Sequence, residues 1–501
     1  MRAERDTIEV RVGGIIPGLA LNSSEGQLLR LMERLAGRES PQPVQVEPRA
    51  VGTESRYSVP RFDLGRDRLF SSFELWQGQG NNTRVLGTNH FVDQFSDVSK
   101  WNYPFPNAAS KKGLQVQMVP DALALGIKHA ALNVNLTGLI ALDGTNGIPW
   151  DVDGKTVRFQ SGALRALDDQ VRPLAESNVV ISLILLTYAS GQAERDRLML
   201  HPRYERRAPN HLGAFNTVTE EGATYFRGCL EFLAEHYSQP QFNGRVVNFI
   251  LGNEVNSHWF WANMGEVTME EFAKDYLRTA RLAATALRKL SRSARLYLSL
   301  EHHWGMRYPG GNERQAFSGR PFLEYFARHA REQGDFEWHV AFHPYPENLF
   351  EPRTWRDRSA TSADDSPRIT FKNLEVLPRF LHRPELLFQG HPRRIILSEQ
   401  GFHTVNKPEG ELWQAAGYAY AYYKVDQLED IDAFILHRHV DHRDEGGLLL
   451  GLWTRKEQGA ATPDRPKRIY EVFRQADTPS WREAFAFALP IIGIKDWAEL
   501  R

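Results

Sequence analysis

The chain has 501 residues, 42% of them hydrophobic and 25% charged, the balance of a globular protein with a large core, not of a disordered one. Lys and Arg number 61 against 62 Asp and Glu, so the basic excess that marks most nucleic-acid binders is absent. The single cysteine, Cys229, excludes an intramolecular disulfide; it lies in the helical pattern YFRGCLEFLAEHY and reads as a small core residue, which fits a reducing compartment.

The N-terminal MRAERDTIEVRV has no apolar leader stretch, and the longest apolar run, Val179 to Leu186, is too short to span a bilayer. The expectation is a soluble protein without membrane or nucleic-acid partners, cytoplasmic as given and secreted or periplasmic if a leader was trimmed. Up to about Ser58, TIEVRVGGII and PVQVEPRAV read as strands with a helix, SEGQLLRLMERLAG, between them. Residues 1–58 are therefore expected to form a small appendage, and 59–501 the main domain.

From there apolar runs recur with helical stretches between them. The first run is DRLFSSFELWQ, ending near Trp76. The second is IKHAALNVNL, from Ile127 to Leu136, and the third NVVISLILLTY, ending at Tyr188. The fourth, RVVNFILGNEVN, carries Glu254. The fifth, ARLYLSLEHHW, carries Glu301 and His302. The sixth, FEWHVAFHPYP, carries His343 and Tyr345. The seventh, RRIILSEQGFH, carries Glu399, and the eighth, IDAFILHRHVDH, carries His437 and His439. Between them lie EGATYFRGCLEFLAEHY, MEEFAKDYLRTARLAATALRKL, RPFLEYFARHAREQG and WQAAGYAYAYYKVDQLED, with apolar residues at helical spacing. The long gap after the first run, with GTNHFVDQF and WNYPFPNAASKKGLQVQ, reads as an elaborate loop.

Continuous apolar runs suit parallel strands buried on both faces, and the polar residues gather at their C-terminal ends. No GxGxxG follows the first run, as a dinucleotide-binding sheet would require. The fold class expected is α/β, a (β/α)₈ TIM barrel, whose active site is built at those C-terminal ends.

Two carboxylates stand out there: Glu254 in GNEVN and Glu399 in SEQGF, each closing an apolar run. Glycoside hydrolysis needs two carboxyl groups flanking one bond, one to protonate the leaving oxygen and one to attack the anomeric carbon or activate water. Gly252-Asn253-Glu254 ending the fourth run, His343-Pro344-Tyr345 ending the sixth and Glu399 ending the seventh resemble the clan A glycoside hydrolases. The tail GLW followed by RPKRIYEVFRQ resembles that clan's closing loop and last helix. KKGLQVQ and EVFRQADTPSW also resemble a bacterial barrel family of unknown function. The clan resemblance implies a retaining mechanism with Glu254 as acid/base and Glu399 as nucleophile, no cofactor, and a carbohydrate partner. It implies Asn253 at the sugar 2-hydroxyl, Tyr345 on the nucleophile and His343 in the same pocket, with the two carboxyl groups about 5–5.5 Å apart. Glu254, which must begin protonated, should hold the higher pKa.

Further candidates for substrate contact are Asn133 and Asn135 after the second run, His302 and Trp304 after the fifth, and Trp259 with Trp261 after the acid/base. His90 and Asp93 lie in the long first loop. His437 and His439 close the eighth run at the spacing that puts two imidazoles on one side of a strand. They are read as a sugar subsite, with Arg438 able to recognise an anionic group, and no metal is assigned. Two alternatives stay open: a carbohydrate-binding pseudoenzyme on the same barrel, and a metal-dependent hydrolase around His437, His439 and Asp441.

Overall fold

The computed structural model describes residues 1–12, 29–35, 41–46, 49–51, 54–78, 83–142 and 146–500. Its centre is a closed barrel of parallel strands. These are β1 (Lys112–Gln115), β2 (His129–Asn135), β3 (Val180–Tyr188), β4 (Val246–Leu251), β5 (Arg295–Glu301), β6 (Trp338–His343), β7 (Ile395–Leu397) and β8 (Ile431–Leu436). Each pairs with its neighbours in sequence, and β1 closes the ring against β8 through Gly113↔Ile435. A Cβ on Gly113 would come within 2.8 Å of the Ile435 side chain and 2.9 Å of His129 Cβ, so the closing seam admits no side chain there.

The strands are apolar because both faces are covered. Ala131, Ile184, Leu186, Ile250, Tyr297, Ala341, Ile396, Ala433 and Ile435 fill the barrel interior as one cluster, while the alternate residues pack outward on the helices. Those helices follow the sequence pattern: Glu220–Tyr237, Met269–Leu290, Gly319–Glu332 and Gly410–Asp426. The longest starts on a reciprocal cap, Thr268 Oγ1 accepting from the Glu271 N–H while the Glu271 carboxylate accepts from the Thr268 N–H. Cys229 is fully buried on the Glu220–Tyr237 helix. The region after β8 forms the short strand Trp453–Arg455 and the helix Arg468–Gln475.

The first strand is a correction. DRLFSSFELWQ does not enter the barrel: Ser72–Gln77 lies in an antiparallel sheet between Leu29–Arg34 and Arg84–Phe91. The first barrel strand is the four-residue KGLQ of the segment expected to be loop. Its lysine hid it. Lys112 is only 2% exposed because its ammonium reaches the Ala476 carbonyl and the Asp477 carboxylate, so a charged residue serves as an outward core position. A second correction falls on the expected N-terminal helix. Leu29–Arg34 is a strand, and residues 24–28 and 36–37 of that segment lie outside the described ones. Its apolar and charged residues fit the sheet because Glu33 is satisfied there, accepting from Ser71 Oγ at 2.6 Å and from Arg68. A second, mixed sheet joins Thr7–Val12 antiparallel to Arg2–Ala3 and to Glu54–Pro60; its edges are Gln94–Phe95, parallel to Arg2–Ala3, and Arg49–Val51.

Candidate active site

Strand alternation decides which side chains reach the barrel mouth. Counting on by twos from the interior residues leads to Gln115 on β1, Asn133 and Asn135 on β2, Tyr188 on β3, Ser299 and Glu301 on β5, His343 on β6, Ser398 after β7 and His437 after β8. Glu254 arrives differently. The chain leaves β4 through Gly252 at φ +77° and then Glu254 itself at φ +41°, a left-handed conformation that a glutamate adopts only under constraint. The constraint is visible: the Glu254 N–H donates to Ser299 Oγ at 3.0 Å. Just beyond, Asn256 Nδ2 and Ser257 Oγ both donate to Glu301, each at 2.9 Å.

His343 stands between the two carboxylates. Its Nδ1 lies 2.9 Å from Glu254 Oε1 and its Nε2 3.0 Å from Ser398 Oγ. The Tyr345 hydroxyl donates to Glu399 Oε1 at 3.2 Å, and Gln115 Nε2 donates to Glu399 Oε2 at 3.1 Å. One oxygen of Glu254, one of Glu399 and a His343 nitrogen all lie within 4.8 Å of one another. That spacing would also admit a metal ion. His343 meets Glu254 through Nδ1 and Ser398 through Nε2, so an ion there would have to displace one of these contacts.

The two carboxyls are pushed in opposite directions. Burial raises Glu254 above the usual carboxylate value of 4.5, and the nearby charges of Glu301 and Glu399 add to it, against the lowering hydrogen bond from His343. Burial also works to raise Glu399, but His437, His343 and the Gln115 amide outweigh it and hold that carboxyl below its usual value. Burial alone would lower His343; its contact with Glu254 and the charges of Glu399, Glu254 and Glu301 raise it instead. Glu301 is a third buried carboxylate, held down at about 2 despite burial by bonds from His303 and the neighbouring histidines.

The remaining expected residues divide. Asn253 is half-buried beside Glu254. Asn133 is exposed at the mouth. Asn135 is exposed too, but its Oδ1 accepts from the Gly138 N–H and so caps the short helix Leu136–Leu139. Trp261 packs, half-buried, on the barrel-interior cluster together with Tyr188. Trp259 is 6% exposed, with the Arg207 guanidinium over its ring. Trp304 is wholly buried, edge-on to Phe342 and Phe380, its indole N–H donating to the Asp364 carbonyl, so it is wall and not sugar platform. His302 is buried against His303, and burial pushes it down to about 3.

The expected His437–His439 pair does not converge. His437 contacts Gln115 and Glu445, whereas His439 is bound to Asp121 at 2.8 Å and accepts from the N–H groups of Gln117 and Met118. Asp441 pairs with buried Lys467. The metal arrangement around His437, His439 and Asp441 therefore has no common centre. Arg438 is neutralised by Glu445, which leaves it poorly placed to recognise an anionic sugar. His90 pairs with Asp93 and Asp93 with the Met1 amine, at the other end of the barrel, where Asp93 lines a cavity of about 780 Å³ with Arg295 and His339 from the starts of β5 and β6. Sequence reasoning missed Gln115, Ser299, Ser398 and Glu445. Gln115 could have been found only by recognising KGLQ as a strand.

The chain belongs to DUF5722, a family of unknown function, whose model matches residues 104–500. No curated protein matches the sequence. Among solved structures, a family 39 glycoside hydrolase from Bacteroides cellulosilyticus WH2 is 14% identical, covers 94% of this chain and 80% of its own, and has a TM-score of 0.46. A beta-glucosidase from Pyrococcus furiosus is 14% identical, with 74% and 86% covered and a TM-score of 0.45. A monomeric beta-xylosidase from Caulobacter crescentus CB15 is 13% identical, with 75% and 70% covered and a TM-score of 0.44. At such values the functional reading rests on the geometry of the site itself. Among the described residues, no helix is long and apolar enough to cross a membrane.

Proposed function

We propose that this member of the family is a retaining glycoside hydrolase, with Glu399 as nucleophile and Glu254 as acid/base. The observation that carries the reading is the pair of carboxylates on different strand ends, with oxygens within 4.8 Å, one pushed up and the other down. Retaining enzymes place their carboxyl groups about 5–5.5 Å apart, whereas inverting ones need about 6.5–9.5 Å to admit a water between acid and base.

In this reading Glu254 gives its proton to the leaving oxygen as Glu399 attacks the anomeric carbon, and a glycosyl ester on Glu399 forms. Glu254, now ionised, takes a proton from water; the water oxygen bonds to the anomeric carbon and Glu399 leaves as carboxylate. Tyr345 and Gln115 donate to the nucleophile, and Asn253, Asn133 and Trp261 are the substrate contacts we assign at the mouth.

The test is labelling with a panel of fluoro-sugars and cyclophellitol-type probes, read by intact mass and peptide mapping. An adduct on Glu399 is expected, and the probe that reacts names the sugar. Azide should restore turnover to Glu399→Gly with inversion of the product. Full activity in Glu399→Gln would overturn the reading.

A further inference from the structure

Behind Glu399 lies a hydrogen-bonded chain that the double-displacement scheme does not use. Gln115 Nε2 donates to Glu399 Oε2, and it also lies 3.4 Å from the Ser398 carbonyl. Gln115 Oε1 lies 2.6 Å from His437 Nδ1. His437 Nε2 lies 3.0 Å from Glu445 Oε1, and the other Glu445 oxygen is held by Arg438. The chain thus crosses three segments: the one that follows β8, β1, and the one that follows β7.

A primary amide has one donating and one accepting end, and which end faces Glu399 matters. Turned one way, it supports a carboxylate; turned the other, it sets oxygen against oxygen. An ionised Glu399 presents only acceptors and itself favours the N–H end; His437 imposes the same choice from the other end of the amide. Its Nδ1 faces an amide oxygen and its Nε2 faces a carboxylate, so Nδ1 is placed to donate to Gln115 and Nε2 to Glu445. Arg438 keeps Glu445 an acceptor: burial would raise that carboxyl, but His437 and Arg438 hold it at about 2. A neutral His437 donating only to Glu445 would turn a lone pair on Gln115 and release the amide to flip. The charged and titratable groups around His437 are then Arg438 and Glu445 in the segment after β8, Glu399 after β7, and His343 and Tyr345 on the β6 side.

We propose that His437 is a positioning residue: held against Glu445, it donates from Nδ1 to Gln115 Oε1 and so fixes the amide with its N–H facing Glu399. The function assigned to this relay rests on the proposed role of Glu399, whereas the relay itself can be read without turnover.

Ring ¹⁵N spectra of histidine-labelled protein, with His437→Gln to assign the signal, should show a proton on the His437 Nδ1. Infrared difference titration of the Glu399 carboxyl, wild type minus Glu399→Gln, should show it ionising about one pH unit higher in His437→Gln and in Gln115→Leu. The acidic limb of kcat/KM should move by the same amount with KM little changed, which mere loosening of the fold would not produce. A His437 Nδ1 without a proton, or a Glu399 titration unmoved in both variants, would overturn the relay. Should the spectra behave as expected while no glycoside or probe reacts, the relay stands and the glycosidase reading falls.

Discussion

Glu254 and Glu399 share a cleft yet are pushed in opposite directions, and in the proposed mechanism this difference sets how activity depends on pH. That mechanism needs Glu399 ionised, which holds above its lowered value, and Glu254 protonated, which holds below its raised value. The profile of kcat/KM is therefore expected to be a bell with its acidic limb below the usual carboxylate value of 4.5 and its basic limb above it. Glu399→Gln should lower kcat by about three orders of magnitude or more, with the fold intact by circular dichroism. Glu301 gives a prediction about stability instead. Its folded value of about 2 lies below the ordinary 4.5, so the stability it contributes is present above pH 4.5 and is lost as pH falls towards 2. Glu301→Gln should cost about 2–3 kcal/mol at pH 7 by urea unfolding and flatten that acid limb, because Asn256, Ser257 and His303 lose a common acceptor. These carboxylates were legible as residues in the sequence. Their opposed environments were not, because they come from Gln115, Ser398 and His437 on strands far apart in the chain.

Strand ends made the site legible and also set the limit of what could be read. β2 to β8 announce themselves as apolar runs with a polar terminus because both faces are buried. β1 does not, since four residues with a lysine and a glutamine carry no such run, and a strand of the N-terminal sheet took its place in the count. The total of eight was right for the wrong first member, and the cost was Gln115. Aromatic residues after the strands were equally ambiguous: Trp304, Trp259 and Trp261 have the same spacing credentials, and only burial separates them. Trp304 tests that separation. Trp304→Ala should destabilise the protein by about 3–5 kcal/mol through the cavity it leaves, while Trp304→Phe should keep KM near the wild-type value. A large rise in KM for Trp304→Phe at unchanged stability would return the residue to the sugar site.

At the scale of the whole molecule the barrel separates chemistry from support. The carboxylates sit at the C-terminal ends of the strands. At the opposite ends Asp432 on β8 accepts from Arg295 on β5 at 3.1 Å and from Arg394, which precedes β7, so one carboxylate ties three strands at the floor. Arg295 also lies over the Phe105 ring at 3.5 Å, which leaves it little freedom to find another partner. Asp432→Asn keeps the shape and removes the charge that both arginines share. Being half-buried, these pairs are partly screened, and the loss is expected to be about 1 kcal/mol in urea unfolding. Because the floor lies a strand's length from Glu254 and Glu399, kcat and KM should stay at wild-type values and the pH bell should keep both limbs. A shifted acidic limb in Asp432→Asn would show that the floor charge reaches Glu399, and the division between supporting floor and reacting mouth would have to be abandoned.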